Sequence, residues 1–387
     1  MITTYTAFTE EIDDIDVAIE DIQSQIDSSK LKANSLGILT CHADFIETGV
    51  ARALAEAFDF DIIGSVSTLQ SSKSQASMFG LSLMVLTSDD TYFETGLSES
   101  LLTDPNEVVH NLYTEVSSRR DSKPALILTY AGFLVQNSGD EYIRVLSEDS
   151  GNTPIFGTLS VDESLDFSKS FVLYNGQEYR DKMAIALIYG DINPKFYVAS
   201  VSDDKIVGEP VTITKSQGHI LMEVNDEPIL DYFKRLGLGE ATGTQYAMTG
   251  LPFLLDYGDG SPKVSKVFIA LDPDNNAICA GIMPEGAKLY MGVFDPDDVI
   301  KTTSEALDTA KDDSNSSAIL AYACISRSMT LGATPTKEME FFYTTNEANG
   351  NIPYLMASSG GEIGPTVIAG DKAINRFHNN AFVMCKF

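Results

Sequence analysis

"SLGILTCHADF" (35–45) and "DIIGSVSTLQ" (61–70) decide how this chain is read. Each is a short apolar run that ends in small or polar residues. Between them Ile46, Val50, Leu54 and Phe58 step at helical spacing along one face. Strand, polar loop, helix, strand and Gly/Ser-containing turn make a β-α-β unit, and the unit recurs. "ALILTYAGF" (125–133), a helix over about 138–149 and "PIFGTLSVDES" (154–164) form a second copy. "AILAYACISRS" (318–328), a helix opening at Thr334-Pro335 and "PYLMASSGGEIGP" (353–365) form a third. An antiparallel-type run follows each copy: "FGLSLMVLT" (79–87), "FVLYNG" with "MAIALIYG" (171–190), and "NNAFVMCKF" (379–387). Parallel strands joined through helices cross over right-handedly. Their loops then gather at the carboxyl edge of the sheet, where open α/β sheets place ligands. The predicted fold class is α/β, more fully mixed α+β: two related domains built from repeated β-α-β units with mixed sheets.

Around the repeats the pattern is plainer. Phe8, Ile12, Ile15, Ile19, Ile22 and Ile26 step by 4, 3, 4, 3, 4, which predicts an opening amphipathic helix. Asp104-Pro105 and Asp295-Pro296 each read as a helix start, an aspartate cap followed by a proline that needs no N–H partner. Residues 191–228 read as strands and turns before a short helix from about 227, so a boundary is expected near 200. "KVFIALDPDNNAICAGIM" (266–283) predicts a hairpin turning at Pro-Asp-Asn-Asn.

The chain has 387 residues, 43% hydrophobic and 21% charged, a globular composition long enough for two domains. Lysine and arginine number 26 against 56 aspartates and glutamates, a net charge of −30. Such a surface repels phosphate backbones, so no nucleic acid and no anionic membrane is expected as a partner. The sequence holds no run of 18 apolar residues, and its start has no basic leader with an apolar core. The four cysteines, Cys41, Cys279, Cys324 and Cys385, are far apart. The expectation is a cytoplasmic protein with reduced thiols.

"VNDEPILDYFKRLGL", "ALDPDNNAICAGIMPEGAKLYMGVFDPDDVI", "AILAYACISRSMTLG", "GGEIGP" and "RFHNNAFVMCKF" occur here in the order found in FIST domains. The name stands for F-box and intracellular signal transduction proteins. "IIGSVST" and "IFGTLSVDES" sit where the N-terminal module of that family has them. The chain therefore resembles a FIST N module over 1–200, containing the opening helix and two repeats, followed by a FIST C module over 201–387. The resemblance implies a cytoplasmic sensory protein of bacterial-type signal transduction that binds a small polar molecule such as an amino acid. Because it fills the chain, it implies a separately encoded effector such as a kinase. The same resemblance leaves two alternatives: a haem-binding, nitric-oxide-type gas sensor, or an unrecognised enzyme using Cys324. Two places depart from the family pattern. Ser65-Val66-Ser67-Thr68 replaces a Cys-Ser-Thr, and Ala270 stands where an arginine is common.

The third repeat carries the strongest site candidates. Cys324-Ile325-Ser326-Arg327 matches the family's Cys-x-x-Arg. Arg327 offers a charged fork for a carboxylate or phosphate, or else neutralises a neighbouring acid. Cys324 is a small buried residue unless a base activates it, and no histidine lies near in sequence. "SSGGEIG" (358–364) supplies Ser358, Ser359, Gly361 and Glu362 as backbone donors, hydroxyls and one carboxylate. It lacks the Lys-Ser/Thr of a phosphate-binding loop. Arg327 and Glu362, if adjacent, could hold an amino acid's two charges, or each other. The equivalent corners of the first two repeats add Ser67, Tyr130 and Asp162, residues equally at home in turns. His42, His110, His219 and His378 form no close metal pattern, and no nucleophile elbow or dinucleotide fingerprint is present. No catalytic residue and no cofactor is expected, with haem on His219 or His378 as the exception.

Overall fold

In this computed structural model residues 1–164, 167–238, 252–311, 316–369 and 372–387 are described. The central strands are almost wholly apolar, as strands covered on both faces must be. Three pairs run parallel: Asn34–Cys41 with Ile62–Val66, Leu126–Ala131 with Ile155–Leu159, and Ile319–Cys324 with Tyr354–Ser359. Each pair is flanked on its first strand by the antiparallel run that closes its own repeat: Leu81–Ser88, Met183–Tyr189 and Phe382–Lys386. Beyond that lies the strand that opens the repeat: Thr3–Thr9, Tyr92–Leu97 and Lys195–Ala199. The chain is mixed α+β, and the three repeats share one strand order.

What locks the repeats together is an exchange of hairpins. The hairpin after the first repeat, Gln70–Ser72 with Gln75–Ser77, pairs with Tyr354–Ser359 of the third. The hairpin of the second, Val172–Tyr174 with Gln177–Tyr179, pairs with Ile62–Val66 of the first. The hairpin of the third, Gly361–Ala369 with Lys372–His378, pairs with Ile155–Leu159 of the second. The open edge of each parallel pair is thus covered by a hairpin from another repeat. At the centre, Leu36, Ile38, Leu128, Phe156, Leu320 and Val383 from all three sheets form one core. Tyr130 and Tyr322, both fully buried there, share a hydrogen bond of 2.7 Å between their hydroxyls.

Close approach explains one sequence feature. A Cβ at Gly64 would lie 1.8 Å from the Leu39 carbonyl oxygen, and one at Gly157 1.8 Å from that of Thr129. The glycines of "IIG" and "IFG" therefore let the parallel strands meet, and any side chain there must push them apart.

The helices form where the caps allow. Asp104 and Asp295 cap Pro105–Ser117 and Pro296–Thr309 as expected. The third repeat's later helix is Lys337–Ala348, starting just past Thr334-Pro335. One expectation fails. Phe8 belongs to the strand Thr3–Thr9, not to the opening helix, which is Ile15–Gln25. The Asp14 side chain accepts from the Val17 N–H and starts the helix. The alternating Thr-Thr-Tyr-Thr-Ala-Phe-Thr before it favours a strand paired with Leu81–Ser88.

Between the strand Lys195–Ala199 and the helix Pro296–Thr309 the chain inserts a separate β-module, described over residues 206–238 and 252–292. Its strand order runs Val264–Lys266, Phe253–Asp256, Lys288–Gly292, Ile206–Gln217, Ile220–Val224, Ala277–Cys279, Phe268–Leu271. It has its own core around Phe233, Phe253, Phe268 and Leu289.

Candidate functional site

The corners of the repeats meet the inserted module at one cavity of about 300 Å³. Thr68 and Leu69 come from the first corner, and Val161, Asp162, Glu163 and Ser164 from the second. Cys324, Ile325, Ser326 and Gly360 come from the third. The module supplies Val267, Phe268, Ile269 and Ala280 as the facing wall. Phe133 and Phe167 lie 4.5 Å apart, centroid to centroid, along one side. Met78 and Met329 add adaptable apolar surface.

Of the nine residues that the sequence singled out, Cys324 and Asp162 line this cavity. Asp162 is occupied, accepting from the Ser164 N–H at 2.7 Å, the Ser164 hydroxyl and the Lys169 N–H. Burial pushes the Cys324 thiol up to about 12, with the nearby Glu362 adding to the effect, so it stays protonated. The other seven stand behind the lining. Ser67 donates to the carbonyls of Leu69 and Ser358 at 2.9 Å each, tying two corners together. Ser358 donates its N–H to the Leu69 carbonyl at 2.9 Å. Ser359 accepts from Thr158 at 2.6 Å and from the Gly361 N–H at 2.9 Å. A Cβ on Gly361 would sit 2.2 Å from the Phe377 ring, so glycine is a packing requirement there. Tyr130 lies in the central core.

Arg327 takes the second of its two sequence-level roles. It is fully buried and pairs with Glu338, not Glu362, donating from Nε at 2.9 Å and from Nη2 at 2.7 Å to Glu338 Oε1. Nη2 also reaches the Val299 carbonyl and the hydroxyls of Thr302 and Thr303 at 2.9–3.0 Å. Its Nη1 has no partner among the described residues, but the group is fully buried and is not part of the cavity lining, so it is closed to a ligand's carboxylate there. Glu362 is buried too and accepts from the Ala381 N–H at 3.2 Å, while its Oε1 has no partner among the described residues. Burial raises its carboxyl to about 8, against opposing pulls from Ser359, Ala381 and Arg327.

Sequence reasoning missed the residues that give the cavity its character. Asn379, 1% exposed, and Thr68 are among its lining residues, and Asn379 Oδ1 and Thr68 Oγ1 are buried without a partner among the described residues. The available signal was two asparagines directly before the apolar last strand. Lys266 was read as the start of a hairpin. It is fully buried, and its Nζ donates to Asp140 Oδ2 and to the Phe377 carbonyl at 2.9 Å each. The Ile282 N–H joins the same carboxylate oxygen at 2.8 Å. This pair pins the module to the helix Gly139–Asp149 beside the cavity. Burial depresses the ammonium, but the charges of Asp140 and Tyr257 and the hydrogen bonds to them together outweigh it and hold Lys266 above the ordinary lysine value. His378 is buried with Nε2 3.1 Å from the Gly364 carbonyl, and burial depresses it to about 4. Neither His219 nor His378 lines the cavity.

A model of the FIST N domain matches residues 35–227 and one of the FIST C domain residues 230–365. The chain belongs to the FIST family, whose domains are sensor modules of signal transduction. No curated protein matches it. Among solved structures, PurLQS from Thermotoga maritima is 8% identical with a TM-score of 0.20, over 100% of this chain and 72% of that one. Phosphoribosylformylglycinamidine synthase II from the same organism is 10% identical with a TM-score of 0.20, over 100% and 71%. Likeness at that level carries no argument about fold or function. Among the described residues no helix is long and apolar enough to cross a membrane.

Proposed function

We propose that this chain is a cytoplasmic ligand sensor and that its ligand occupies the cavity between the repeat corners and the inserted module. The convergence of all three corners and the module on one partly open, largely apolar space carries the reading. Small-molecule sites are concave, mostly apolar and marked by a few placed polar groups. A ligand touching both walls favours the arrangement in which the module lies close, and that shift in population is the signal. A separately encoded effector such as a kinase would read it. Binding fits better than catalysis, because among the described lining residues the one thiol is held protonated and there is no histidine to activate it.

Filling the cavity tests this. Ile269 is a half-buried strand residue in the module wall, and Ile269→Trp projects an indole into the space. A small-molecule screen by thermal shift, supported by mass spectrometry of co-purified molecules, should find compounds that stabilise the native protein and not the variant. Equal stabilisation of both would place the ligand elsewhere.

A further inference from the structure

The cavity's polar groups have one chemical bias. None of its described lining residues is lysine, arginine or histidine. The cations nearest the site are already committed: Arg327 to Glu338, Lys266 to Asp140. A carboxylate or phosphate entering this space would meet no positive partner.

Acceptors, by contrast, are in excess. The Ser326 hydroxyl donates to Asn380 Oδ1 at 2.9 Å, and that of Ser328 to the Ile325 carbonyl at 2.9 Å. The Ser164 hydroxyl goes to Asp162. What remains without a partner among the described residues is Asn379 Oδ1, an acceptor, and the hydroxyl of Thr68, both more than nine-tenths buried. A buried acceptor left unpaired is costly, and a ligand N–H relieves it. Asp162 and Glu163 of the second corner add negative charge to the lining. The Glu163 side chain is 53% exposed, with Oε2 3.3 Å from His42 Nε2. The whole surface carries a net −30, which attracts small cations and repels anions. Phe133, Phe167, Phe268, Ile269 and Met329 line the rest with apolar surface suited to a ring or branched chain.

We infer that the ligand is an apolar-bodied amine, an arylalkyl or branched alkyl ammonium without an acidic group. Its N–H groups face Asn379 and the acidic corner, and its body lies between the phenylalanines and the module wall. This rests on the cavity being the ligand site. It departs from the free amino acid that the family resemblance implies, since an α-carboxylate meets no cationic side chain among the described lining residues.

The test is a matched series on one phenethyl body: 2-phenylethylamine, 2-phenylethanol, phenylalanine and 3-phenylpropionate. Each is titrated calorimetrically into the full chain, with the neutral dye N-phenyl-1-naphthylamine as an independent probe of the cavity. The amine should bind about tenfold or more tightly than the alcohol, with the two carboxylates weakest. Glu163→Gln and Asn379→Leu should each erode the amine's advantage over the alcohol, read as the ratio of the two affinities within each variant. Glu163 lies on the surface, so its variant keeps the test alive if Asn379→Leu fails to fold. Equal affinities across the series, or preference for a carboxylate, overturn the amine assignment and leave the cavity reading standing. Dye binding with no member of the series bound also overturns it. Failure of the dye as well, or dye binding untouched by Ile269→Trp, overturns the cavity reading itself.

Discussion

Arg327 and Lys266 are both stripped of water, yet they serve different parts of the molecule. Arg327 is sealed inside the third repeat, held by Glu338 and the helix Pro296–Thr309. Lys266 crosses from the inserted module to the second repeat, and its partner Asp140 keeps 14% of its side chain exposed. The first pair holds a frame together, whereas the second holds a wall in place. A buried pair adds little over an apolar pair of equal volume, but losing one member leaves a bare charge in the interior. The contrast teaches where movement can occur: the frame has no alternative partner, while the latch has water at its edge.

Removing Arg327 is expected to have the largest effect. Arg327→Ala strands Glu338, 3% exposed, and should cost about 3–5 kcal/mol in urea unfolding. The double variant Arg327→Met, Glu338→Leu should recover most of that. Retention of full stability by Arg327→Ala would show that the pair is not the frame's anchor.

Next comes pH. Glu362 titrates near the ordinary glutamate value of 4.5 in the unfolded chain and at about 8 when folded, because burial favours its neutral form. The folded state therefore binds more protons between those values. The contribution is complete below about pH 4.5, declines as pH rises, and is gone above about pH 8. The slope reaches at most about 1.4 kcal/mol per pH unit. Glu362→Gln should flatten that decline in chemical denaturation run from pH 5 to 8. An identical slope in both proteins would assign the pH dependence to another group.

Lys266→Met should cost less, about 1.5–3 kcal/mol, since Asp140 regains solvent. Its signature should be local: faster amide exchange over 264–283 with the central strands unchanged. Uniform acceleration would erase the distinction between latch and frame. Smallest is the response of Cys324, whose thiol should resist iodoacetamide at pH 8 in the native protein and react several-fold faster in Lys266→Met. Equal rates would mean that the module does not cover it.

The repeats were legible because strand, helix and turn leave periodic, local marks. "IIG", "IFG" and the Asp-Pro caps each fixed a position without knowledge of the whole. The exchange of hairpins was not legible, because "QSS" (70–72) says nothing about pairing with Met356 and Ala357, which lie 286 residues or so away in the chain. The same limit governed the site. Cys324 and Asp162 end strands and could be found locally. Arg327 could not be assigned, since its partner Glu338 is on another helix and nothing in "CISRS" tells an ion pair from an open cation. Asn379, Phe167 and Ile269 reach the cavity only through folding, and each reads locally as an ordinary turn, loop or strand residue.

The most direct test of the account is amide exchange with and without saturating 2-phenylethylamine, resolved by peptide. The account predicts added protection confined to the three corners, 66–69, 160–164 and 324–329, together with the module wall at 264–283. Protection on the outer helices Ile15–Gln25 or Pro105–Ser117 instead, with the corners unchanged, would contradict it.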